Sequence, residues 1–190
     1  MRMRSFVLPL ALAALAPLLA GCGGHNVIVR VDILSFMDPS TRQKSFGPVP
    51  AAPGGLATGE TPLLDESFNL VQGLSDAVNI QSVSVDVGGT VNTFTGSGED
   101  TVRVYLSDPA TDPLTTPPVI VQTLALTAGS VTPLTATLSD DPRVNRLFSQ
   151  RQIRVGVTFS LRGPSSGAAL TGQFQLTRLV GIIVAGQKTY

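Results

Sequence analysis

The strongest constraint on what this chain can fold into is an alternation of period two. Ile153, Val155, Val157, Phe159 and Leu161 interleave with Arg154, Gly156, Thr158, Ser160 and Arg162, so an extended strand here has one apolar and one polar face. The same alternation runs through Val27, Val29, Val31 and Ile33, through Val83, Val85 and Val87, and through Val102, Val104 and Leu106. The spacing predicts nine or ten strands, near 26–36, 66–72, 78–87, 91–96, 101–107, 119–127, 131–138, 153–161, 169–177 and 179–185. No helical run of βαβ length separates them. The expectation is therefore an all-β antiparallel β-sandwich of Ig-like or Greek-key type. A transmembrane barrel is disfavoured, because its aromatic girdles would have to come from nine aromatic residues beyond position 22.

Turn chemistry points to local hairpins at Gly88-Gly89, Ala128-Gly129-Ser130 and Gly163 to Gly167, since glycine suits the positive dihedrals of tight turns. One short helix is expected near 142–149. Asp140 or Asp141 caps it, Pro142 suits its first turn, and Val144, Leu147 and Phe148 fall on one face. From Met37 to Leu63, Pro39, Pro48, Pro50, Pro53 and Pro62 are joined by Gly47, Gly54, Gly55 and Gly59. This stretch, residues 38–63, reads as an exposed loop with a short extended piece near Phe46, either functional or mobile.

The N-terminus carries a different message. Arg2 and Arg4 precede an apolar run from Phe6 to Leu19 that contains Pro9 and Pro17. The run is shorter than the roughly 20 residues of a spanning helix and reads as the core of a signal peptide. It ends in Leu19-Ala20-Gly21-Cys22, which resembles the lipobox of bacterial lipoproteins. That resemblance covers only the first 22 residues. It implies cleavage between Gly21 and Cys22, a diacylglycerol on the Cys22 thiol and acylation of the new amino terminus. Two or three chains anchor stably where one does not. The domain division expected is a lipoprotein signal peptide at 1–21, a lipidated tether at 22–25 and one sandwich domain at 26–190. Position 23 is glycine rather than the aspartate that resembles an inner-membrane retention signal. The implied location is a bacterial cell envelope, at the outer membrane if the cell has one.

Cys22 is the only cysteine and His25 the only histidine in 190 residues. A disulfide framework and a thiolate zinc site are thereby ruled out. A pI near 6.6 gives no electrostatic reason for a nucleic-acid partner. The balanced total conceals an asymmetry: residues 22–141 hold 13 acids and 4 bases, whereas residues 142–190 hold 7 bases and no acid. Two arrangements are open. Either C-terminal strands pair beside N-terminal ones and the charges neutralise each other, or Arg154, Arg162 and Arg178 form a basic face for an anionic glycan, lipid or ion.

Gly163-Pro164-Ser165-Ser166-Gly167 matches the G-x-S-x-G nucleophile elbow, but the residues that follow read as a strand where the elbow needs a helix. No catalytic residue is assigned. The acids Asp86, Glu99, Asp100, Asp108, Asp112, Asp140 and Asp141 lie in or beside expected loops. None matches a calcium-loop spacing, and no metal or cofactor is expected. Most phenylalanines (Phe36, Phe68, Phe94, Phe148, Phe159 and Phe174) fall in apolar patterns and are expected in the core, leaving no aromatic platform for sugars. The reading is a non-catalytic structural, assembly or interaction component, with the membrane and an envelope protein as partners. The alternative is an envelope binding module acting through its loops or Arg-rich strands.

Overall fold

A computed structural model describes residues 26–69, 78–150 and 152–187. Among these, nine strands are arranged in two antiparallel sheets: β1 (Val27–Asp32), β2 (Gln43–Val49), β3 (Thr61–Asn69), β4 (Val78–Thr95), β5 (Gly98–Ser107), β6 (Ile120–Leu126), β7 (Val131–Ser139), β8 (Gln152–Arg162) and β9 (Leu170–Gln187). The α-helix α1 (Pro142–Phe148) joins β7 to β8. The first sheet has the order β1-β9-β4-β7, with β2 also on β9, and the second has the order β3-β8-β5-β6. β1 pairs with residues 180–185 of β9 and β2 with residues 170–175. β4 occupies the opposite side of β9, so β1 and β2 act as one interrupted strand. Each sheet then has four strand positions, and the chain crosses between sheets at every connection from β2 onward except β5–β6, as in a double-sheet jelly roll.

The all-β antiparallel sandwich is thus present, but local hairpins do not build it. Among the described strands, only β5 and β6 are both consecutive and hydrogen-bonded to each other. The turns at 127–130 and 163–169 fall between strands as expected, yet each carries the chain from one sheet to the other. Gly88-Gly89 is not a turn at all. Both residues lie inside β4, paired with β7 and β9, and neither has a positive φ. The reason is in the neighbouring strand, where Gly88 faces Arg178 and Gly89 faces Leu176, leaving Thr177 as a bulge residue. A Cβ on Gly89 would lie 2.7 Å from the Gln175 carbonyl oxygen, and one on Gly88 3.1 Å from Cβ of Arg178. The bulge also shifts the phase of β9, so Leu176 and Leu179 both point inward. That shift splits one long strand into two on a sequence reading.

Between the sheets, Phe159 of β8 stacks on Phe174 of β9 with ring centroids 5.9 Å apart, and Phe46 approaches Phe159 at 6.2 Å. Phe46 belongs to β2, so residues 38–63 are not the exposed loop expected: the extended piece is a full strand paired with β9, Phe46 and Val49 are buried, and β3 already begins at Thr61. Phe68 and Phe148 are also buried, whereas Phe36 and Phe94 are exposed. The core expectation fails for those two because Phe36 follows β1 in a 3-10 turn and Phe94 lies on the outer face of β4. Helix α1 closes one end of the sandwich. The Asp141 carboxylate accepts from the Arg143 amide at 2.8 Å as its cap, and Asn145 Oδ1 accepts from the Val83 amide at 2.8 Å. Val144, Leu147 and Phe148 are buried.

Candidate functional site

At the end opposite α1, three connections meet: residues 50–60 after β2, the β4–β5 turn and the β8–β9 connection. Backbone hydrogen bonds tie them together, from Ala52 N to Pro164 O (3.0 Å), from Gly163 N to Leu56 O (2.8 Å) and from Thr58 N to Leu161 O (2.8 Å). Gly96 turns the chain with φ +72, and a Cβ there would lie 2.7 Å from the carbonyl oxygens of Ala168 and Ala169. Together these segments enclose an open cleft of about 530 Å³. Its chemistry is set by Ser97, Glu99, Arg162, Ser165 and Ser166, with Leu126 as an apolar wall. Arg162 Nη2 donates to the Gly54 carbonyl at 2.8 Å. Hydroxyls with one acid and one base suit reversible hydrogen bonding to a polar or charged ligand. Ser165 has no helix behind it, as β9 follows directly, so the elbow geometry is not formed.

The three arginines expected on one basic face are separated. Arg154 and Arg162 lie near opposite ends of β8 in the second sheet, and Arg178 lies on β9 in the first. Arg154 Nε and Nη2 donate to the two oxygens of Asp65, each at 2.7 Å. Arg178 Nη2 donates to Asp86, which also accepts from Thr137 Oγ1 at 3.0 Å. The Arg178 hydrogen bond holds the Asp86 carboxyl below its usual range, against a smaller opposing effect of burial. C-terminal bases therefore pair diagonally with acids on adjacent N-terminal strands, which is the internal neutralisation left open by the charge asymmetry. Gly21, Cys22 and His25 lie outside the described residues. Among those described, no helix is long and apolar enough to cross a membrane.

The acids expected in loops are dispersed, and Asp86, Glu99 and Asp100 lie within β4 and β5 rather than in loops. Asp112 accepts from the Leu114 amide at 3.0 Å in a 3-10 turn, Asp141 caps α1, and Asp140 occupies a positive-φ position. Among the described residues, no group of three His, Cys, Asp or Glu side chains could hold a metal ion.

Two polar features escape a sequence reading. On the outer face of the second sheet, Glu60 Oε2 accepts from Tyr105 Oη at 2.8 Å and from Thr158 Oγ1 at 3.1 Å. Arg103 Nη1 lies 3.4 Å from Glu60 Oε1 and donates to Ser160 Oγ at 2.9 Å. Burial, reinforced by the bond to Glu60, pushes the Tyr105 hydroxyl pKa up. The cluster fixes the segment before β3 onto the sheet. The second feature is Asp100, which shares the inward face of β5 with Val102, Val104 and Leu106 and is 0 % exposed. Neither of its oxygens, nor the buried Thr93 hydroxyl, has a hydrogen-bond partner among the described residues. Burial raises the Asp100 pKa to about 7, with Arg103 opposing.

No family model and no curated protein matches the chain. Among solved structures it is similar to that of infectious bursal disease virus Gt strain, at 16% identity and a TM-score of 0.42. It is also similar to the Gx strain structure (14%, TM-score 0.41) and to the infectious bursal disease virus VP2 subviral particle (18%, TM-score 0.35). Alignments cover 87%, 87% and 88% of this chain but only 38%, 38% and 37% of the viral chains. The jelly-roll topology stands on the strand pairing, independently of these similarities.

Proposed function

We propose that this chain is a lipid-anchored protein of a bacterial envelope whose jelly-roll domain is a non-catalytic structural, assembly or interaction component. The observation that carries the reading is the closeness of the Leu19-Ala20-Gly21-Cys22 tetrapeptide to the fold: β1 begins at Val27, with four residues between it and Cys22. An anchor on Cys22 holds that end of the sandwich near a bilayer. Val27 lies opposite Ala185 of β9, whereas the cleft is at the Leu170 end. Those ends are separated by about 50 Å of extended strand, so the loops project away from the anchor.

Replacing Cys22 with Ala tests the anchor. The wild-type protein partitions with membranes and carries the mass of its acyl groups, whereas the variant is released and unmodified; equal partitioning and mass for both overturns the reading.

A second reading, an envelope binding module for an anionic glycan, lipid or ion, is favoured by one observation. Arg162 lines the cleft and contacts a backbone carbonyl, while Arg154 and Arg178 are engaged by carboxylates. Arg162→Ala in the soluble domain is expected to weaken retention of anionic envelope glycans while leaving the melting temperature nearly unchanged. Retention equal to wild type removes this reading.

A further inference from the structure

The outer face of the first sheet changes character in steps away from the start of β1. Outward side chains form successive cross-strand rows, because Ile28 lies opposite Val184, Arg30 opposite Ile182 and Asp32 opposite Val180 on β9. On the other side of β9, Ser82, Ser84 and Asp86 of β4 continue these rows. The row next to the chain start is therefore Ile28, Val184 and Ser82, apolar or neutral throughout. Arg30, Ile182 and Ser84 follow, with one cation. Asp32, Val180 and Asp86 form the third row, which carries the acids. Ile28 is 70% exposed, and Val27, on the opposite face of the strand, 49%; Val31 is the one buried residue of β1. The centre of the patch is Ile182 and Val184, both partly exposed.

We propose that this patch, centred on Ile28, Val184 and Ile182 with Arg30 at its border, docks on the surface of a bilayer containing anionic lipid. The inference rests on the anchoring reading above. Ile28 is six residues from Cys22, a reach of at most about 20 Å of extended chain. An acylated Cys22 therefore keeps the patch within one interfacial depth or two of the headgroups, at high effective concentration. The order of chemistry along β1 matches the bilayer interface. Apolar side chains lie nearest the anchor and enter the headgroup boundary, the Arg30 guanidinium reaches lipid phosphate, and Asp32 and Asp86 remain in water. Asp86 is held by Arg178, which limits its repulsion from an anionic surface. The domain then lies with this part of its first sheet toward the lipid, and the cleft and the second sheet face away.

The experiment uses the full lipidated chain in vesicles of phosphatidylethanolamine with a minority of phosphatidylglycerol. Because the sole native thiol is the lipidated one, Ile28→Cys, Val184→Cys, Val121→Cys and Ser165→Cys each introduce a unique position for an environment-sensitive fluorophore. Quenching by lipids brominated near the glycerol is expected to be several-fold greater at 28 and 184 than at 121, on the second sheet, or 165, in the cleft. Equal quenching at all four positions overturns the docking face, as does protection of 28 by disulfide-linked dimers, which assigns the patch to a second copy. Mass spectrometry of the same samples separates the two claims. Lipidated protein without preferential quenching at 28 and 184 overturns the docking face alone, whereas an unmodified Cys22 overturns the anchor and the docking face with it.

Discussion

Arg154 and Asp65 lie on neighbouring strands with two parallel charge-assisted bonds between them, Nε and Nη2 each 2.7 Å from one carboxylate oxygen. They are diagonal neighbours, since Arg154 is directly opposite Ser67 and Asp65 opposite Gly156. The pair joins an acid from the acidic part of the chain to a base from the basic part. A double-mutant cycle with Asp65→Asn and Arg154→Gln is expected to return a favourable coupling that shrinks at high salt. Strictly additive effects would show that the contact contributes nothing to stability.

Asp100 makes stability depend on pH in the direction opposite to an ion-paired carboxylate. Its pKa is raised on folding from 3.8 to about 7, so the folded state holds the proton more tightly than the unfolded state. Its contribution is greatest below about pH 4, falls as pH rises through the interval and is fully lost above about pH 7. Asp100→Asn stays neutral throughout. Relative to wild type, the variant is expected to gain stability between pH 4 and 8, by on the order of 4 kcal/mol in total. Chemical denaturation of both proteins across this range reads the difference, and a constant offset would refute it.

Gly89 and Gly59 predict contrasting outcomes for the same substitution. Gly89→Ala drives a methyl group to 2.7 Å from the Gln175 carbonyl oxygen and is expected to destabilise by about 1–3 kcal/mol. Gly59 has open space around it and no positive φ, so Gly59→Ala is expected within about 0.5 kcal/mol of wild type. Urea denaturation of the two variants would overturn the account of β4 if Gly89→Ala were neutral.

Removal of the α1 cap has a smaller expected effect. Asp141→Ala loses the bond to the Arg143 amide, with an expected loss of about 1 kcal/mol. Asp140→Ala leaves that cap in place, and comparison of their melting temperatures identifies which aspartate holds the helix.

Most strands, the helix and most of the core were legible because alternation and capping are local properties; β2 and the start of β3 were not, because their prolines and glycines read as loop. The Ile153 to Arg162 alternation and the Asp141–Pro142 start are both present as read. Pairing was not legible, because a tight turn looks the same whether it returns the chain within a sheet or sends it across the sandwich. Gly88-Gly89 carries the composition of a hairpin, but its small size serves the bulge at Thr177 and Arg178. Asp100 shares the parity of Val102, Val104 and Leu106; starting the strand at 101 concealed it among loop acids. Of the candidate basic face, only the position of Arg162 at a cleft survives, since the partners of Arg154 and Arg178 come from strands more than 80 residues earlier.

The central place of β9 has a consequence for the order of assembly. It is the last described strand, yet it separates β1 and β2 from β4. Without residues 170–187, the first sheet retains only the β4–β7 pairing. A chain delivered amino end first therefore cannot zip that sheet progressively, because its first strands have no neighbour until nearly everything else has arrived. Closure of the first sheet therefore waits for residues 170–187 and joins distant parts of the chain in one step.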